Sequence, residues 1–157
     1  MAHPTNILKL SDREAIADVI YRVCLAFDTN DIKLFHSAVI KDKITINRDN
    51  EERIGLESVM QNVFNPVSAL DTHHSISNIR IEHENGATTA HMVTYMLAQH
   101  HRKGEAMDPR KEGLIGGTTN SINVELDETD KLWKMTKWDM HINWISGDAS
   151  IVGLPGY

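Results

Sequence analysis

Two histidine pairs, His73-His74 and His100-His101, are the residues of this chain best suited to moving protons. Neutral imidazole near pH 7 can take up a proton and return it. The pairs flank a pattern that reads as one β-hairpin. Its first strand runs from Asp71-Thr72-His73-His74 through Ile76, Ile79 and Ile81, and a shift from even to odd apolar positions predicts a β-bulge near Ser77 or Asn78. Glu84-Asn85-Gly86 supplies a turn tolerant of positive φ, and the return strand over 88–101 ends on the second pair. Antiparallel pairing sets the start of one strand beside the end of the other, so four imidazoles are expected near one end of the sheet. Adjacent strand residues face opposite ways, so each pair offers one inward ring. No metal is assigned, and a His-His-carboxylate metal site stands as the alternative to acid-base chemistry.

A carboxylate suits such an imidazole as a partner, and Asp28 is the candidate. Ala17, Ile20 or Tyr21, Cys24 and Asp28 follow one another at helical spacing beside the main apolar stripe, so the carboxylate is placed to face inward. At the end of a helix it opposes the macrodipole, which removes one ordinary reason for its being there. The plain alternative is a turn shared with Asn30 and Asp31. His3, His36 and His83 read as surface or satisfied polar residues. His141 alternates with Met140 and Ile142 and falls with Asp139 on an outer face.

The elements that must position these groups are legible in outline. Ser11 and Glu14 form a capping-box pattern opening a first helix to about Asp28, along which Ile16, Val19, Ile20, Val23 and Phe27 recur. Asn30-Asp31 caps a short second helix through Ile32, Leu34, Phe35 and Ala38. Residues 43–47 alternate like a strand, and 55–63 have helical spacing that loses regularity at Asn65-Pro66. Beyond Leu70 the chain reads as sheet: the hairpin, a polar connection over 103–111, a strand over 114–127 containing Gly116-Gly117, and a last strand over 132–145. Leu132, Trp138, Met140, Ile142 and Trp144 share one parity of that last strand. An irregular tail is expected from Ser146 to Tyr157. Three N-terminal helices followed by a mainly antiparallel sheet define an α+β class, here a curved sheet closed by the helices into a cone with one mouth.

The totals set limits. A chain of 157 residues with 41% hydrophobic content suits one domain with a core over about 10–145. A formal charge of -6, without a cluster of basic and aromatic residues, gives no attraction for nucleic acid. Cys24 is the sole cysteine, which removes an intrachain disulfide. The amino terminus carries no basic stretch before an apolar run, and the rest of the chain has no membrane-length apolar segment, so a cytoplasmic location is expected.

The segments LSDREAIADVIYRVCLAFDTND, DTHHSISNIRIEH, LIGGTTNSINVEL and LWKMTKWDMHINW together resemble the SnoaL-like group of the nuclear-transport-factor-2-like superfamily, with scytalone dehydratase and hexachlorocyclohexane dehydrochlorinase nearest in pattern. The resemblance runs from about Leu10 to Trp144. It implies a dyad of His74 as base and Asp28 as its orienting partner, with a second histidine at His100, or His101 if the alignment slips by one. The chain departs from that pattern: Phe27 and Asn47 stand where scytalone dehydratase carries tyrosines, and Val23 where the dehydrochlorinase carries a lysine. No counterpart of the dehydrochlorinase's catalytic arginine is recognisable.

The activity so implied is that of a cofactor-independent lyase or isomerase, of dehydratase, isomerase or cyclase type, acting on a small apolar, oxygenated molecule. Asn47, Asn120 and Asn123, with Tyr21 and Tyr95, are the candidate polar residues for holding the substrate. The resemblance further implies a homodimer or homotrimer, with Trp133, Asp139 and His141 as candidate contacts on the outer face of the last strand. A non-catalytic small-molecule-binding or protein-interaction module of the same fold is the competing reading, because this fold hosts both.

Overall fold

In the computed structural model, which describes residues 3–48 and 50–153, Ser11 closes a capping box. Its amide donates to the Glu14 carboxylate at 2.8 Å and its hydroxyl accepts from the Glu14 amide at 3.4 Å. Two otherwise unpaired amides are satisfied in this way, and α1 (Asp12–Thr29) begins there. It ends where Asn30 takes a left-handed conformation with φ 52°. Asp31 then caps α2 (Ile32–Ala38), accepting the Leu34 amide at 3.0 Å. Ile16, Val19, Ile20 and Val23 form the buried stripe of α1, as their spacing predicts.

The first strand, β1 (Thr45–Arg48), lies slightly later than its pattern suggests, and it turns back into β2 (Glu51–Ile54). The sequence of β2, Glu-Glu-Arg-Ile, hides its structure because it is an edge strand that has little apolar surface to bury. A third helical segment, α3, spans 56–68 as an α-turn Leu56–Val59, a π-helical stretch Met60–Phe64 and a further α-turn Asn65–Ser68. The spacing predicts a loss of regularity at Asn65-Pro66; the irregular π-helical stretch comes just before it, and an α-turn continues through Pro66. The Asn65 amide reaches back to the Met60 carbonyl, a wide turn that makes room where a proline ring would collide with a regular one.

Four long strands complete the sheet: β3 (Asp71–Glu82), β4 (Thr89–His101), β5 (Leu114–Leu126) and β6 (Trp133–Gly147). The sheet order is β2-β1-β6-β5-β4-β3, antiparallel except where β1 runs parallel to β6. This is an open six-stranded sheet with helices, an α+β fold. The β3–β4 hairpin has the expected turn, with Gly86 at φ 82° and the Ala87 amide donating to Glu84 at 3.0 Å. Its register slips between Ser77 and Arg80, where Asn78 takes φ 53°, so Ile76, Ile79 and Ile81 all stay half-buried while their neighbours are exposed.

Strand β6 departs from simple alternation. Asn123 pairs with Lys137 but Val124 with Met135, and Gly117 pairs with Trp144 but Thr118 with Ile142. Each slip adds one residue to β6 and switches its facing side. Trp138, Met140 and Ile142 face the helices as their parity predicts, but Trp144 is 49% exposed, its indole lying over Gly117. Trp133, expected on the outer face, is 5% exposed and packs in the core with Met135. Leu132 precedes the strand. The tail expected to be irregular from Ser146 instead continues β6 to Gly147 and forms a 3-10 turn, Ala149–Val152. Residues 154–157 of that expectation lie outside the described residues. Among the described residues no helix is long and apolar enough to cross a membrane.

Candidate active site

Between the helices and the sheet lies a cavity of about 110 Å³, walled mainly by apolar side chains such as Phe27, Ile46, Val63, Met96 and Trp138. A single water needs about 10–15 Å³ on this measure, so the space suits a small organic molecule. His74 of β3 and His100 of β4 line it together.

Asp28 arrives at this point because the last turn of α1 packs against the start of β3. Its Oδ1 accepts from His74 Nδ1 at 2.6 Å and from the Thr72 hydroxyl at 2.8 Å, and its Oδ2 accepts the His74 amide at 3.0 Å. The side chains of His74 and Asp28 are only 5% and 15% exposed. Burial by itself would raise the Asp28 carboxyl, but the hydrogen bonds and charge of His74, with the bond from Thr72, outweigh it and hold the group below its ordinary value. A carboxylate bound to Nδ1 fixes the proton on that nitrogen and leaves the lone pair of Nε2 for chemistry.

The His100 ring stands edge-on to that of His74, centroids 5.3 Å apart. Burial, then repulsion from His74, lowers His100 to about 4 despite the attraction of Asp28, so its imidazole is neutral at pH 7. Its Nδ1 is buried without a partner. An unpaired acceptor costs less than an unpaired buried N–H. The favoured tautomer therefore carries its proton on Nε2, as a hydrogen-bond donor.

Only one ring of each pair faces the cavity. His73 is 73% exposed, its Nδ1 4.0 Å from Asp28. His101 faces away, its ring against Gly113, where a Cβ would fall 2.3 Å from Cε1. Among the described residues no group of three or more His, Cys, Asp or Glu side chains is arranged to hold a metal ion.

The other expected binding residues are placed elsewhere. Asn47 points away from the cavity and donates to Asp139 at 3.4 Å, because strand alternation gives the inward positions to Ile46 and Arg48. Tyr21 and Tyr95 are 48% and 49% exposed, on the outward sides of α1 and β4. Asn123 is exposed at the far end of β5. Asn120 is buried just behind the cavity, where it accepts from Trp138 Nε1 at 2.9 Å and donates to the Thr118 hydroxyl at 3.1 Å, positioning two lining residues. The sequence reading missed Thr118 and Arg48 as lining residues. Arg48 shares the parity of Ile46, the signal that would have found it.

The site is thus a helix-delivered carboxylate bonded to a strand histidine that lines an apolar cavity, on an open mixed sheet of the NTF2-like class. The chain belongs to the SnoaL-like domain family, which matches residues 8–139. It is 33% identical over 144 residues to terrestric acid biosynthesis cluster protein E of Penicillium crustosum, an alignment covering 92% of this chain and 91% of that protein. Two structures from Novosphingobium aromaticivorans share the fold. A proposed aromatic ring hydroxylase is 22% identical, with TM-score 0.73 and coverage of 90% and 96% of the two chains. A proposed scytalone dehydratase is 17% identical, with TM-score 0.72 and 87% coverage of both.

Proposed function

We propose that this protein is a cofactor-independent lyase or isomerase that removes a proton beside a carbonyl or comparable activating group of a small apolar, oxygenated molecule. The observation that carries this reading is the 2.6 Å bond from Nδ1 of His74, whose ring lines the apolar cavity, to Asp28 behind it. His74 Nε2 takes the proton, and Asp28 holds the tautomer and stabilises the imidazolium formed. His100, neutral at pH 7, donates a hydrogen bond from Nε2 to the oxygen on which charge develops. Elimination, isomerisation or cyclisation can each result from the same proton abstraction. The similarity to a protein named for a biosynthesis cluster supports a natural-product intermediate as substrate. In this reading the chain works as a single domain whose curved sheet and three helices form a cone, and it assembles as a homodimer or homotrimer.

The test begins by identifying small molecules released from the purified protein by mass spectrometry. Turnover of the recovered compound is then compared for wild type, His74→Ala and Asp28→Asn, each with and without chelator. Loss of turnover in both folded variants, with chelator inert, is expected. Full activity in both variants would overturn the dyad, and strong chelator sensitivity would move the histidines to metal ligation. A ligand bound by wild type and never converted would make the chain a binding module.

A further inference from the structure

Arg48 is a cation on an otherwise largely apolar wall. It closes β1, and alternation along that strand turns it to the cavity side with Ile46, so that it lines the same cavity as His74 and His100. The adjacent edge strand contributes Arg53 and Glu51 to the lining, and these two neutralise each other at 2.7 Å. The Arg48 side chain, only partly exposed, makes no direct ion pair or hydrogen bond among the described residues; its charge acts at longer range on Glu51, its cross-strand neighbour, which Arg53 holds in a direct pair. Its charge acts on His100, adding to the burial and the repulsion from His74 that keep the ring neutral. A half-buried guanidinium offers a planar fork of N–H donors suited to two oxygens that share one negative charge.

We propose that Arg48 is a specificity-determining residue, and that the ligand this cavity takes carries a planar delocalised oxyanion, a carboxylate or the enolate of an acidic β-dicarbonyl, on an apolar body. The inference rests on the proposed function for its assignment of the cavity as a substrate site. It adds the chemical class of the ligand and the residue that selects it. The apolar body lies along the Trp138 and Met96 walls, the oxyanion faces Arg48, and the neutral His100 can donate to the same group. Arg53, already paired with Glu51, is less available for the task.

Binding without turnover provides the test. Wild-type protein is titrated, with NMR detection, against cyclohexanecarboxylate, against the acidic enol 5,5-dimethylcyclohexane-1,3-dione, and against neutral cyclohexanecarboxamide. At least one anion is expected to bind about 10-fold to 100-fold more tightly than the amide, the range that charge-assisted hydrogen bonds give. Arg48→Gln should abolish that preference while keeping amide binding, and Arg48→Lys should restore part of it. A preference for the first anion alone identifies a carboxylate ligand; a preference for the second alone identifies an enolate. Absence of anion preference, its persistence in Arg48→Gln, or failure of both anions to bind at tens of millimolar would overturn the proposal. The same titration on His74→Ala separates the two readings, because the anion preference should survive there even though turnover is lost.

Discussion

His74→Ala should lower turnover by about 100-fold to 10,000-fold with the fold intact, as measured by steady-state rates alongside circular dichroism. The ring lines the cavity, so its removal enlarges that space, and Asp28 keeps the Thr72 hydroxyl and the residue-74 amide as donors. Asp28→Asn should be comparably severe. Three donors converge on the Asp28 carboxylate, from His74 Nδ1, the His74 amide and the Thr72 hydroxyl. An amide oxygen can serve only part of that set, and its nitrogen would face another donor. His100 makes a separate prediction about pH. Its folded value is lowered from 6.5 to about 4, mainly by burial. Below 6.5 the unfolded chain therefore takes up a proton that the folded protein refuses, and stability should fall as pH drops from about 6.5 to about 4, then level off for this group. Asp28 has the usual carboxylate sign. Its contribution is present above the unfolded carboxylate range and is lost only as pH falls through its lowered folded value, so it does not account for the loss near pH 5. Urea midpoints across this range should show the slope in wild type and a flatter curve in His100→Gln.

At the scale of elements, Arg22 holds α1 in the position that delivers Asp28. Its side chain is 5% exposed, and the guanidinium pairs with Asp18 at 2.8 Å and donates to the Trp133 carbonyl at 2.6 Å and to the Ser37 carbonyl. One side chain thus ties α1 to the end of α2 and to the first residue of β6. Arg22→Ala should cost about 3 kcal/mol in urea unfolding, because it leaves two carbonyls and a carboxylate without their shared donor. Arg22→Lys should recover only part, since a single ammonium cannot span the same set. Within the sheet, the bulges in β6 decide which aromatic faces the cavity. Trp138 is held at the cavity by Asn120, while Trp144 is turned outward onto Gly117.

At the scale of the whole molecule, the proposed assembly uses the sheet face opposite the helices. Leu97 and Trp144 both pair with Gly117, one on each side, and Tyr95 lies two residues along β4. These three side chains are 38–49% exposed, an apolar cluster replacing the expected contact at Trp133. Light scattering should report a dimer or trimer, and the double variant Leu97→Glu with Trp144→Glu should give a monomer. A wild-type protein that is monomeric at working concentrations would defeat this assembly.

Local chemistry was legible in the amino-acid sequence. The capping box at Ser11, the turn at Asn85-Gly86, the bulge at Asn78 and the apolar stripe of α1 depend on neighbours within a few residues, and so did the inward placement of Asp28. Resemblance to the SnoaL-like group then brought Asp28 and His74 together across the chain. Tertiary structure alone decided which parity faces the cavity. Bulges in β6 reversed Trp133 and Trp144, and strand packing turned Asn47 and Tyr95 outward while bringing Arg48 in. Side-chain alternation has a period of two, so an inserted residue reverses the facing of every later residue in the strand. Whether a bulge forms at such a point is settled by the register of the neighbouring strand, which lies far away in sequence. The edge strand β2 was hidden for a related reason: its backbone bonds belong to the sheet, while its side chains carry almost no apolar signal.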